Sequence, residues 1–137
     1  MSKTKVLVVD DDVTASRLLA VGLEKTGLFQ VKVENVAMRA AASARQFRPD
    51  VIFMDVCMPG VDGTDVAFQI QKDPVIGSTP LIFLTSLVSG QEVNSQAIER
   101  GGREFLPKPA SLANVIACIQ RHVPQAAESS GTATPTS

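Results

Sequence analysis

Short apolar runs alternate with longer amphipathic segments along the whole of this chain. KVLVV (5–9), VIFM (51–54), LIFL (81–84) and EFLP (104–107) are strand-like, and VKVE (31–34) alternates as a half-covered edge strand does. VIFM is apolar throughout, which predicts a strand covered on both faces. Between the runs lie segments with helical spacing. Thr14 is placed to cap a helix reaching about Thr26, with Leu18, Leu19 and Leu23 inward and Gly27 ending it. Asn35 is placed to cap a second helix, in which Ala37, Ala40, Ala41, Ala44 and Phe47 share one side and which Pro49 stops. A third helix is predicted over Thr64 to Lys72, and a fourth, weakly apolar one over Gln91–Arg100. A last one covers Ser111–His122, with Leu112, Val115, Ile116 and Ile119 forming an apolar stripe.

Five strands alternating with five helices predict an α/β domain with a doubly wound, flavodoxin-like parallel sheet in the order 2-1-3-4-5. Pro107 within the fifth run removes a ladder donor and predicts an irregular or edge strand there. We expect the folded domain over residues 1–123. From Pro124 the chain reads PQAAESSGTATPTS, without large apolar residues, and is expected to be a disordered tail or a truncated linker over 124–137. The length of 137 residues suits one core.

In such a sheet the carboxyl ends of the strands line one edge, where ligands bind. The residues that follow each central run therefore meet. They are Asp10 and Asp11 after the first, Asp55 after the third, Thr85 after the fourth and Lys108 after the fifth. Carboxylates packed within a few ångströms need a counter-charge. Hard oxygen ligands suit Mg2+, an ion that bridges carboxylates to phosphate oxygens. Lys108 adds a point charge able to reach a phosphoryl oxygen, and Thr85 adds a donating hydroxyl. The parts together describe phosphoryl transfer onto an aspartate, with Asp55 as nucleophile ahead of the tight MPGVDG loop. Asp11 is the expected direct ligand from the first strand, Asp10 binds directly or through water, and the backbone carbonyl of Cys57 folds back as a neutral ligand.

The segments VVDDD (8–12), MDVCMPGVDG (54–63), LTS (84–86) and Phe105-Leu-Pro-Lys108-Pro109 resemble the response-regulator receiver domains of two-component signalling, in order and at compatible spacing over about residues 4–122. The resemblance implies Asp55 as phosphorylation site, Asp10 and Asp11 as acid pocket, Thr85 as switch hydroxyl, Phe105 as switch aromatic and Lys108 as phosphate-binding cation. It also implies a cis peptide between Lys108 and Pro109. The implied phosphodonor is a histidine kinase or histidine phosphotransfer protein. Output would run through protein contacts on a face that phosphorylation reshapes, through phosphorylation-dependent dimerisation, or through a domain beyond this chain. The implied protein is a signalling receiver and not an enzyme, catalysing only its own phosphorylation and dephosphorylation. Two other readings compete: a degenerate receiver that binds partners without phosphorylation, and an aspartate-nucleophile phosphohydrolase, for which the loops are too short to enclose a substrate.

Composition narrows the remaining classes. A net charge of −1 offers no basic excess for nucleic acid or a membrane surface, and no apolar run spans a bilayer. The two cysteines, Cys57 and Cys118, lack metal spacing and are expected as free thiols in the cytoplasm, Cys118 as an apolar filler. Asp12 and Asp62 are expected only as turn formers or helix caps, and His122 as a partner of a helix dipole.

Overall fold

The computed structural model describes residues 3–58, 60–85, 98–100, 103–108 and 110–123. The chain runs β1 (Thr4–Val9), α1 (Val13–Lys25), β2 (Phe29–Glu34), a 3-10 turn (Ala37–Arg39) and α2 (Ala40–Phe47). β3 (Val51–Asp55) leads through a small hairpin, β4 (Cys57–Met58) and β5 (Val61–Asp62), into α3 (Gly63–Gln71). β6 (Leu81–Thr85), β7 (Ile98–Arg100), β8 (Arg103–Pro107) and α4 (Leu112–His122) complete it.

The sheet order is β2-β1-β3-β6-β8-β7. The first five are parallel and stand in the predicted order, with β2 at the predicted edge. Side chains alternate across the sheet and so build two cores. Val6, Val8, Phe53, Ile82 and Leu84 pack with Leu23 of α1 and with Val115 and Ile119 of α4. Leu7, Val9, Ile52, Met54 and Phe83 pack with Ala40 and Ala44 of α2 and with Val66, Ala67 and Ile70 of α3. β3, covered on both faces, is buried throughout.

Several expectations are corrected. Ile98–Arg100 is a strand, where the sequence predicts the end of the fourth helix; the rest of that helix, 91–97, lies outside the described residues. β7 pairs antiparallel with β8 through Ile98↔Phe105. β8 is therefore flanked on both sides and is not an edge strand. Pro107 is its last residue, and the backbone N–H of Lys108 resumes the ladder by donating to the Thr85 carbonyl at 2.9 Å. Thr14 does not cap α1; Asp12 does, as expected of that residue, its carboxylate accepting from the Ala15 N–H at 2.9 Å. Leu18 points outward at 68% exposure, because Leu19 and Leu23, four residues apart, define the buried stripe and Leu18 lies a helical step beside it. Leu112 is likewise exposed, lying over Gly22. Asn35 caps nothing: the turn that follows has Val36 at its cap position and no side-chain bond there.

Candidate functional site

Strand register brings the acidic residues together. β1 and β3 end side by side with Val9 opposite Met54, so Asp10 and Asp55 leave neighbouring strand ends on the same edge. Asp55 stands opposite Leu84, next to Thr85, and Thr85 stands opposite Pro107, next to Lys108. Asp10, Asp55 and Thr85 are buried polar groups at 2%, 5% and 4% exposure, while Asp11 faces solvent.

One carboxylate oxygen from each of Asp10, Asp11 and Asp55 falls within 4.8 Å of the other two. Lys108 reaches in from the end of β8, its Nζ donating to Asp10 Oδ2 at 3.0 Å and standing 3.7 Å from Asp55 Oδ2. Burial pushes the Lys108 ammonium down, but its hydrogen bond to Asp10 and the charges of Asp10, Asp55 and Asp12 outweigh this and hold it above the ordinary lysine value. Its single positive charge faces three carboxylates, which leaves the cluster with an excess of negative charge.

Three supporting contacts were not read from the sequence. Asn35 Nδ2 donates to the Asp10 carbonyl at 2.6 Å and to Ser16 Oγ at 3.0 Å, tying β1 to the start of α1. An Asn after a strand looks like a cap, and only the sheet's geometry turns it towards β1. The Asp12 N–H donates to Asp10 Oδ1 at 3.0 Å, so the residue that caps α1 also orients the buried carboxylate. Gly63 donates to the Val56 carbonyl at 2.9 Å and lies so close to the nucleophile's backbone that a Cβ there would stand 2.3 Å from the Asp55 carbonyl oxygen. Gly63 ends the tight MPGVDG loop, and its closer constraint is this approach. Asp62 caps α3, as expected of it, and the hydroxyl and N–H of Thr64 hold its carboxyl below the usual range.

Phe105, half-buried, stacks on Phe83 with centroids 5.0 Å apart and packs against the α2/α3 side of the sheet. Cys57 opens the small hairpin two residues after Asp55. Pro109, and with it the cis peptide expected at Lys108–Pro109, lies outside the described residues. Cys118 is a fully buried core residue, as expected, and His122 contacts Glu104.

A doubly wound parallel sheet with buried carboxylates and a lysine at its carboxyl edge defines a class, and comparison with known proteins places the chain within it. Residues 6–120 match the family model of the response regulator receiver domain, and the chain belongs to that family of two-component signalling proteins. Protein PilH of Pseudomonas aeruginosa is 35% identical over 84% of this chain and 93% of its own length. The DNA-binding dual master transcriptional regulator RpaA of Synechocystis is 33% identical over 92% of this chain and 54% of its own. With the regulatory protein ResD of Bacillus subtilis covered to 52%, the chain spans about half the length of these two larger relatives. Among solved structures, the chemotaxis protein CheY4 of Vibrio cholerae superposes with a TM-score of 0.74 at 26% identity, covering 89% of this chain and 100% of that one.

Proposed function

We propose that this protein is a phosphorylation-operated switch in which Asp55 accepts a phosphoryl group from a phosphohistidine on a kinase or phosphotransfer protein. The observation that carries the reading is the position of Lys108, between the carboxylates of Asp10 and Asp55 in a pocket where negative charge exceeds positive. An Asp55 oxygen attacks phosphorus as the P–N bond to the donor imidazole breaks, and the electron pair leaves with the imidazole. Lys108 holds a phosphoryl oxygen as charge shifts onto it, and Thr85, one strand over, receives another with its hydroxyl.

The donor set fits Mg2+: Asp10, Asp11 and Asp55 offer hard oxygens, the first and last buried, and the uncompensated charge calls for a cation. Those three residues would hold it, together with the Cys57 carbonyl, and it would supply charge neutralisation at the phosphoryl oxygens.

Output follows from the next strands. Thr85 and Phe105 sit on adjacent strands, and a Thr85 hydroxyl drawn towards the phosphoryl group leaves space into which Phe105 turns. The face that β8 and α4 contribute to then changes its affinity for a protein partner, a second copy of the chain or an output domain. Such a shift needs only a few kcal/mol of differential binding. The absence of any basic excess and of any long apolar helix among the described residues fits a switch read by proteins in the cytoplasm.

Chemical mapping tests the assignment. After phosphorylation, an acyl phosphate is cleaved by hydroxylamine and leaves a hydroxamate, which peptide mass mapping should place on Asp55. A hydroxylamine-resistant phosphate on a serine or threonine would contradict the proposal.

A further inference from the structure

A second cluster of ligating side chains lies away from the phosphoryl pocket, between β8 and α4. Cys118 and His122 are four residues apart on α4 and so share one side of the helix. Glu104 faces them from β8, the residue before Phe105. The Cys118 sulfur, a His122 ring nitrogen and a Glu104 carboxylate oxygen all lie within 4.8 Å of one another.

From this geometry we infer that Glu104, Cys118 and His122 form a binding site for a borderline-soft divalent transition ion of the Zn2+ class. The inference rests on neither the phosphoryl site nor the family. One thiolate, one imidazole and one carboxylate are a tetrahedral zinc ligand set that leaves the fourth position to water. Tetrahedral bonds of ~2.0–2.3 Å put donor atoms about 3.3–3.8 Å apart, which side-chain rotation reaches from the present spacing. A sulfur and a nitrogen select against Mg2+, so the two sites of this protein would sort metals by ligand softness.

The surroundings fit the role. Glu104 accepts from Arg121 Nη2 at 3.1 Å through Oε2 and turns Oε1 towards His122. Arg121 thus orients the carboxylate and leaves one oxygen for a metal, as outer partners of metal ligands do. Cys118 closes the site from the core at 0% exposure, while the side chains of Glu104 and His122 reach solvent at 15% and 31% and give an ion its entry. Burial, with the Glu104 charge adding to it, pushes the Cys118 thiol up to about 11. The ion therefore displaces that proton: the S–H bond breaks, a sulfur–metal bond forms and the proton passes to water. A bound ion would join β8 to α4 one residue before Phe105, on the opposite face of the sheet from its ring.

The test uses the full chain without a polyhistidine tag, in saturating Mg2+ to occupy the acidic pocket and in a Cys57→Ala background so that Cys118 is the sole thiol. Co2+ serves as the spectroscopic probe. The expected result is one equivalent bound with a thiolate-to-cobalt charge-transfer band, displaced by Zn2+. His122→Ala and Glu104→Gln, both at the surface edge of the site, should each weaken binding at least tenfold while circular dichroism stays unchanged. No thiolate band, a band that His122→Ala leaves untouched, or binding lost instead in Asp10→Asn would overturn the inference.

Discussion

Lys108 concentrates the physics of the pocket at residue scale. Its ammonium compensates two buried carboxylates, so Lys108→Ala leaves Asp10 without its charged donor. The expected cost is about 2 kcal/mol in urea unfolding without divalent ions, together with loss of phosphoryl-acceptor activity. The pH dependence has a definite sign. A lysine held above its ordinary 10.5 binds its proton more tightly in the folded protein, so its contribution is fully present at neutral pH and lost as pH rises through the folded value. The stability gap between wild type and Lys108→Ala should hold from pH 7 to about 10 and narrow above about 10.5; a gap already closing near pH 8 would assign the interaction elsewhere. Cys118 behaves similarly at a lower onset. Its thiol ionises at 9.0 when exposed and at about 11 when folded, so stability should fall across that interval, and Cys118→Ala should lack the slope.

At the scale of elements, position and precision separate. Ser111 caps α4 by accepting from the Asn114 N–H at 3.0 Å. Ser111→Ala should cost about 1 kcal/mol and leave phosphorylation unchanged. Gly63 starts α3 against the backbone of Asp55 and Val56, where a Cβ would meet atoms at 2.3 and 2.9 Å. Gly63→Ala should cost about 1–3 kcal/mol and also slow the acceptor reaction, because the helix start and the nucleophile must part. Equal kinetics in the two variants would show that α3 does not constrain Asp55. The same contrast explains what could be read beforehand. Apolar runs and their successors Asp10, Asp55, Thr85 and Lys108 were legible because period and strand order alone bring strand ends together. The contacts of Asn35 and the approach of Gly63 were not, because each depends on distances between segments that local pattern does not encode. The strand at Ile98–Arg100 escaped for a related reason: its weak helical spacing gave way to pairing with β8.

For the whole molecule, the sheet is the coupling element. Lys108, Phe105 and Glu104 all belong to β8 or its end, so the pocket, the aromatic stack on Phe83 and the α4 contact share one strand. Thr85→Ala should still take up a phosphoryl group but lose the change in hydrogen exchange along β8 and α4 that phosphorylation produces in wild type. Identical exchange changes in both proteins would remove Thr85 from the relay. Mg2+ should stabilise the fold by about 2.7 kcal/mol at a hundredfold excess over its dissociation constant, and Asp11→Asn should reduce that gain. The central claim is that this geometry makes Asp55 an acceptor. Intact mass spectrometry after incubation with acetyl phosphate, with and without Mg2+, tests it most directly. The account predicts one phosphoryl adduct in wild type, dependent on Mg2+ and absent from Asp55→Asn. No adduct, or one that persists in Asp55→Asn, would contradict it.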